Sequence, residues 1–555
     1  MQSDTTTSTP LAATAVDIRR FPWIRRFATD YAYAFDRVAP HFAGDPGQNE
    51  AWAAAIARRH AHSAVPGRNT PEQLARVLTA QQERRAAPAQ AKAAAAILAD
   101  PRAVAVITGQ QAGLFGGPLF TLLKALTAMK LAQRIAQEHG VPVVPVFWID
   151  AEDHDWPEVS SCTVLDSEST SRTITLGDLA GAGQLPIARL TLDDQITAAI
   201  DGLQSALPDT EFRDGLIHDI RLAYRPGRSM SEAFGRWIET ILGPHGLVVY
   251  DSSDAASKPL VRQVFARELS HPGETARRAS QAGTALVEAG YHAQVTPHEG
   301  AVSLFYLNGG REAVRYSDQR ATVGDRETTL AALIDEVETA PEHFSPNVLL
   351  RPIVQDTLFP TVCYVAGPNE LAYLGQLRDV YAHFDVPMPL MYQRASATIV
   401  DSATLRFMAK YGMPLESLQP EGEGVLNQLL QDQLPPTVEQ ALANVTTVVE
   451  ERMASVAAAV PQIDPTLEGT VHSTLSRMQH DLRTLHNKVI QAAKRRDETL
   501  RRQFQRAQVL TFPNGHPQER EIGLVWFANR YGPALVDRLM EDLPLDMGHH
   551  WVLTI

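Results

Sequence analysis

The stretch from Val104 to Ile149 constrains the fold of this chain more than any other. Val104-Ala105-Val106-Ile107 is a short apolar strand that runs into Thr108-Gly109-Gln110-Gln111. A helix is expected from about Pro118, because proline in a first helical turn sacrifices no hydrogen bond. At about 100° per residue, Leu119, Leu122, Leu123, Leu126 and Met129 share one face, while Leu131 and Ile135 lie off it. The helix is therefore expected to be broadly buried, with Lys130 near the apolar stripe and its stem snorkelling to water. His139-Gly140 ends the helix, and Val141 to Ile149 reads as the next strand. Strand, glycine-rich turn, helix and strand in so short a span form a βαβ unit, which implies a parallel sheet. Gly246 to Asp251 and Val362 to Gly367 read as further strands of it.

The rest of the chain is arranged around this unit. Asn49 to Ala61 and Pro71 to Asp100 are Ala-rich and read as helices. Ser167 to Asp194 has an inserted texture, and Ser303 to Asn308 followed by Gly309-Gly310 reads as a strand and hairpin turn. In the last third, Val471, Leu475, Met478, Leu482, Leu485, Val489 and Ala492 alternate spacings of four and three, a heptad seam. A second helix, about Pro436 to Val460, precedes Pro461 and Pro465. The two helices pack on each other within one subunit or also pair subunits; heptads alone leave both open.

Composition narrows the function classes. At 555 residues the chain is expected to hold about two to four domains. Its 50 basic and 64 acidic residues give a net charge of −14, which argues against a non-specific nucleic-acid or membrane-surface binder. The only cysteines, Cys162 and Cys363, exclude a disulfide framework and a cysteine-based metal cage, and fit a reducing cytoplasm. Both are expected to be small buried hydrophobes. The first residues are polar and Thr-rich, without a charged segment leading into an apolar one, and no apolar run reaches membrane-spanning length.

Three segments carry candidate chemistry. The first is the turn Thr108 to Pro118, whose four glycines at the carboxyl end of a strand would let backbone N–H groups converge on an anion. It is neither a Walker A loop nor a GxGxxG fingerprint, and the alternative is a tight turn with glycines serving geometry alone. Gln110, Gln111, Gly113, Phe115, Gly117 and Pro118 are its candidate binding residues. The second is Phe147 to Trp156, where four carboxylates and an imidazole follow a buried-type strand. Crowded like charges tune acid/base groups or await a cation, but one histidine and no regular ligand spacing argue against a metal. Trp148, Asp153 and His154 are the candidates there, the last two binding substrate polar groups. The alternative is a solvated acidic loop with a helix cap. The third runs from Ser345 through Tyr373 and includes Asn347, Arg351, Tyr364, Gly367, Glu370 and Tyr373. Arg351 would grip a carboxylate or phosphate, or pair with an internal acid such as Asp356. Gly367-Pro368 repeats the strand–turn–helix grammar of the first segment, and Arg394 is a further candidate anion contact.

These segments resemble the cysteine-adding enzymes (cysteine ligases) of bacillithiol biosynthesis. The resemblance is carried by Thr108 to Leu119, Phe147-Trp148-Ile149 with Glu152 to Asp155, Phe344 to Pro352, Gly367 to Tyr373, Val386 to Pro389, Phe512 to Gly515 and Gln518 to Arg520. It implies an α/β fold: a Rossmann-like parallel-sheet core with connecting-peptide insertions, plus an α-helical coiled-coil C-terminal region. The expected domains are a core over 1–395, with a helical N-terminal segment and insertions at about 165–245 and 270–345. A region over 396–555 follows, with the coiled coil at about 436–509 and a terminal segment packing back on the core. The implied activity is addition of L-cysteine to glucosaminyl-malate, with ATP or another nucleotide activating the carboxyl and no metal. The implied partners are small molecules and a second copy of the chain. The malate carboxylates would sit at Gly113–Gly117 and on Arg351, while Asp153 and His154 orient sugar hydroxyls or deprotonate the amine. The class I synthetase patterns His-x-Gly-His and Lys-Met-Ser-Lys-Ser are missing. Asp150-Ala151 is a local departure, since the family more often has small uncharged residues there. The competing class is a non-catalytic metabolite- or nucleotide-binding Rossmann-like protein that dimerises through its coiled coil.

Overall fold

The computed structural model describes residues 12–554 apart from 66–67, 299–300, 318–319, 420–423, 433–435 and 497. The polar leading segment lies largely outside the described residues.

Five strands form the central sheet: β1 (Val104–Gln110), β2 (Val143–Ile149), β3 (Val248–Asp251), β4 (Thr361–Ala366) and β5 (Leu390–Gln393). Their order is β5-β4-β1-β2-β3 and every neighbouring pair is parallel. The chain steps outward from β1 to β3 and then returns to the other side of β1 as β4. Strand order thus reverses between β1 and β4, and the crevice above their carboxyl ends is where open α/β sheets bind ligands. One sheet face carries Ala105, Ile107, Val144, Val146 and Val248; the other carries Val104, Val106, Cys363 and Val365. Burial on both faces explains the near-continuous apolar strands.

Helix α1 (Leu119–His139) crosses from β1 to β2. Leu131 and Ile135 pack against Val104 and Val106, so the residues off the first stripe are those that seat the helix on the sheet. Pro118 is the cap rather than a first-turn residue. Lys130 is half-buried. It donates to the carbonyls of Met540 (2.7 Å) and Glu541 (3.1 Å), at the end of helix Ala534–Asp542, where a cation satisfies terminal carbonyls. The expected helix from Pro71 to Asp100 is two, Pro71–Arg85 and Ala89–Ile97, broken where Ala86 adopts φ 57° ahead of Pro88.

Between the core strands lie a hairpin, Ser161–Leu165 with Ser171–Thr175, and a five-stranded sheet that includes Ala301–Tyr306, Glu312–Ser317 and Phe344–Pro346. Strand Ala12–Asp17 pairs antiparallel with His549–Thr554. Both cysteines are buried, and burial pushes the Cys162 thiol up to about 12 and the Cys363 thiol further in the same direction.

Residues Val400–His516 form a second compact unit; Met1–Ile399 and Pro517–Ile555 make up the first. In the second unit, α4 (Pro436–Ala459) and α5 (Leu467–Arg496) form a hairpin around Pro461. Gln479 bonds to Glu450 and His486 to Glu439, so the two helices run antiparallel. On the seam of α5, Met478 and Leu485 keep 40% and 49% of their surface exposed.

Candidate functional site

The two turns that flank the crevice are tied together by Lys124. This lysine is 1% exposed; its ammonium donates to the Gly109 carbonyl (2.6 Å) and the Gln110 amide oxygen (3.3 Å), and pairs with Glu370 (2.6 Å). Glu370 also accepts from the Gly367 backbone N–H (2.6 Å) and the Tyr364 hydroxyl (3.1 Å), at the start of α3 (Pro368–Leu374). Burial alone would raise the Glu370 carboxyl, but the Lys124 ammonium beside it holds it below the ordinary range. The sequence reading passed over Lys124, although a lysine between Leu123 and Leu126 on a buried helix is the signal that would find it.

Arg351 begins α2 (Arg351–Leu358) and is 8% exposed. Its guanidinium donates to Gln355 (3.1 Å) and the Tyr373 hydroxyl (3.4 Å), and lies 5.6 Å from the Tyr364 ring centre. All of these contacts are uncharged. Among the described residues no carboxylate stands within ion-pair distance of it. Asp356 is not its partner: that carboxylate accepts from Gln355 (2.9 Å) and Tyr381 (2.5 Å). A buried cation without an anion is costly unless a ligand supplies one.

Asp150 follows β2, and its backbone N–H bonds to the Gln110 carbonyl (3.0 Å), which carries the β1–β2 pairing one residue further. Among the described residues its carboxylate accepts no hydrogen bond, and burial pushes it up, with Arg351 the strongest opposing influence. The other carboxylates of this segment are occupied. Glu152 pairs with buried Lys258, and Asp155 caps the short helix Trp156–Val159. Asp153 accepts from Gln111 and from Arg311 (3.2 Å). Arg311 comes from the hairpin turn after Gly309-Gly310, donates also to His154 Nδ1 (3.2 Å), and stacks 3.9 Å from the Phe305 ring centre. It was missed in the sequence because only the inserted sheet brings it here. Among the described residues no group of three or more His, Cys, Asp or Glu is placed to hold a metal.

The crevice thus gathers Gln110, Gln111, Asp153, His154, Arg351, Tyr364, Gly367, Glu370 and Tyr373. Other expected contacts are used elsewhere. Phe115 is fully buried against the Tyr224 ring (5.3 Å), and Trp148 is buried against Tyr250 (4.8 Å); both are core. The Asn347 side chain accepts from the Leu349 (3.0 Å) and Leu350 (3.1 Å) N–H groups in the turn ahead of α2. Arg394 is no open anion contact, since both its terminal nitrogens lie on Glu519 (2.9 and 2.6 Å). The amides of Gly113, Gly116 and Gly117 bond within the turn, while that of Leu119 bonds to the Ile522 carbonyl (2.9 Å). Pro118 bridges to Gly523. The expected anion cradle at Gly113–Gly117 therefore has those donors taken. Gly116, at φ 97°, leaves no room for a Cβ, which would meet the Trp237 indole nitrogen at 2.9 Å. Arg520 is exposed, lies 5.7 Å from the Phe120 ring centre, and has no ion-pair partner among the described residues; Arg394 and Glu519 act on it most strongly among the charged groups, ahead of Glu370 and Glu158.

Two family descriptions match the chain in tandem. "Bacillithiol biosynthesis BshC, N-terminal Rossmann-like domain" covers residues 12–395, and "Bacillithiol biosynthesis BshC, C-terminal coiled-coil domain" covers 397–555. The chain belongs to this family. A relative from Salinibacter ruber, named "Putative cysteine ligase BshC", is 34% identical over 533 residues, 95% of either chain. Relatives of the same name from Chlorobaculum tepidum and Symbiobacterium thermophilum are also 34% identical, over 85% and 82% of this chain and 86% and 84% of their own. The Rossmann-like core and the coiled-coil region read from the sequence are both borne out, and the resemblance to the bacillithiol family holds across the chain. The non-catalytic reading is not favoured.

Proposed function

We propose that this protein is a cysteine ligase that forms an amide between the carboxyl of L-cysteine and the amine of glucosaminyl-malate, the last step of bacillithiol biosynthesis. Family membership and the relatives' names support the reaction. The observation that carries the site is Arg351, a buried guanidinium at the strand-order reversal whose hydrogen-bond partners are all uncharged. We assign it the anchoring of one malate carboxylate, and the exposed Arg520 the second. Asp153 and His154 address the sugar hydroxyls. Because Asp153 is already held by Arg311 and Gln111, orienting the sugar suits it better than taking a proton.

Amide formation in water needs an activated carboxyl, and we assign that activation to ATP or another nucleotide. The Gly113–Gly117 turn is a poor triphosphate cradle, since the Gly113, Gly116 and Gly117 amides are bonded within the turn. The enzyme works on small molecules in the cytoplasm. It pairs with a second copy along the exposed seam of α5. Among the described residues no helix is long and apolar enough to cross a membrane. Incubating the protein with cysteine, glucosaminyl-malate and ATP, followed by mass spectrometry, should yield the condensed thiol; its absence rejects the assignment. Omitting or replacing ATP tests the nucleotide.

A further inference from the structure

Two segments from different sheets bring the crevice its charged groups. The turn after β2 carries Asp153 and His154, and strand Phe344–Pro346 of the inserted sheet leads through Asn347 into Arg351. The path from that strand is backbone-bonded: Asn347 donates to the Ser303 carbonyl (3.0 Å) and Arg351 to the Asn347 carbonyl (2.9 Å). Two cations tie these segments together. Arg311 donates to the Asp153 carboxylate (3.2 Å) and the Pro346 carbonyl (3.3 Å). Lys258 repeats the arrangement deeper in the protein, pairing with the Glu152 carboxylate and donating to the Phe344 carbonyl (3.2 Å). Phe344 and Pro346 stand two apart on one strand, so both bridges reach the same edge of it.

Lys258 itself belongs to neither segment. It projects from the short helix Ala255–Leu260 that follows β3, and the Asp254 carboxylate caps that helix by accepting from Ala256 (3.0 Å). Ser252, on the same connection, accepts from the Ala151 N–H (3.2 Å), so the turn is seated at two points. Lys258 is 3% exposed and Glu152 5%. Burying both ions costs them their hydration, and an apolar pair of similar volume would hold the fold as well or better. An apolar pair would not hold a carboxylate and a backbone carbonyl at one fixed separation. We propose that Lys258 is a positioning residue that sets the spacing between Asp153 and His154 on one side of the substrate and Arg351 on the other. This rests on the ligase reading above, which makes those residues the two sides of one substrate site. Lys258 acts through Glu152 and the Phe344 carbonyl, without touching substrate.

The test is a paired removal of both charges, Lys258→Met with Glu152→Leu, made in wild type and in Arg351→Met, with Tm and product formation measured on each. In wild type the pair should keep Tm within a few degrees or raise it. It should nevertheless lower kcat/KM for glucosaminyl-malate by about 10²-fold, the cost of misplacing binding groups by about 1 Å. In Arg351→Met one side of the site is already gone, so the same pair should cost less than about threefold more. An unchanged kcat/KM in the first background, or the full loss repeated in the second, overturns the positioning role and leaves the ligase reading standing, since wild type makes product. A wild type that makes no product overturns the ligase reading, and the proposal with it. Should the paired variant misfold by circular dichroism, Glu152→Gln, which keeps the side-chain shape, carries the same comparison against Arg351→Met.

Discussion

The Lys124 ammonium lies 2.6 Å from the Glu370 carboxylate, joining the helix after β1 to the turn after β4 across the strand-order reversal. Lys124→Met should leave Glu370 uncompensated and lower stability by about 3–5 kcal/mol, read as a drop in Tm. The Glu370 carboxyl is held low in the folded state. Its contribution is therefore present above the ordinary glutamate value and fades as pH falls through the lower folded value, so the Tm gap between wild type and Glu370→Gln should narrow on acidification.

Arg351→Met should separate stability from activity. Removing a desolvated cation that has no anion should leave Tm unchanged or raise it. Loss of the carboxylate anchor should raise KM for glucosaminyl-malate about tenfold or more. A large fall in Tm would show the guanidinium to be a structural strut.

Arg311→Ala should release Asp153 and His154 together. Misplacement of positioning groups by about 1 Å costs about 10²-fold in rate, so kcat/KM should fall by that order with the fold intact by circular dichroism. Arg311→Lys, which cannot donate in two directions from a planar fork, should recover only part of the loss.

Glu519, buried and bonded by Arg394, has its carboxyl lowered to about 2. Burial works against this, and the guanidinium prevails. The stability it gives is complete above the ordinary glutamate range and is lost as pH falls toward 2, so Glu519→Gln should melt well below wild type at neutral pH and approach it in acid.

Met478→Glu with Leu485→Glu should convert a dimer to a monomer in sedimentation velocity, while helical content is retained. The exposed seam of α5 is the surface tested. A wild type that is already monomeric rejects the pairing.

Much of this architecture was readable because apolar periodicity and glycine punctuation are local. Val104 to Ile149 announced its βαβ unit without outside help, and the heptads of α5 announced a helix pair. Side-chain fate was less legible. Phe115 and Trp148 sit in motif-like company but face the core, since strand alternation and a φ of 54° at Phe115 turn them inward. Arg394 and Asn347 looked like ligand contacts, yet each meets a protein partner, Glu519 lying far along the chain. Arg311 and Lys124 were missed for the converse reason: their importance arises only when a remote hairpin and a second turn arrive beside them.

The pairing of Ala12–Asp17 with His549–Thr554 has a consequence for biogenesis. The two strands are separated by more than 500 residues of chain, so this sheet closes only after both have been made. Such long-separation contacts form slowly. Until then strand Ala12–Asp17 lacks its partner and offers an edge open to pairing with other chains.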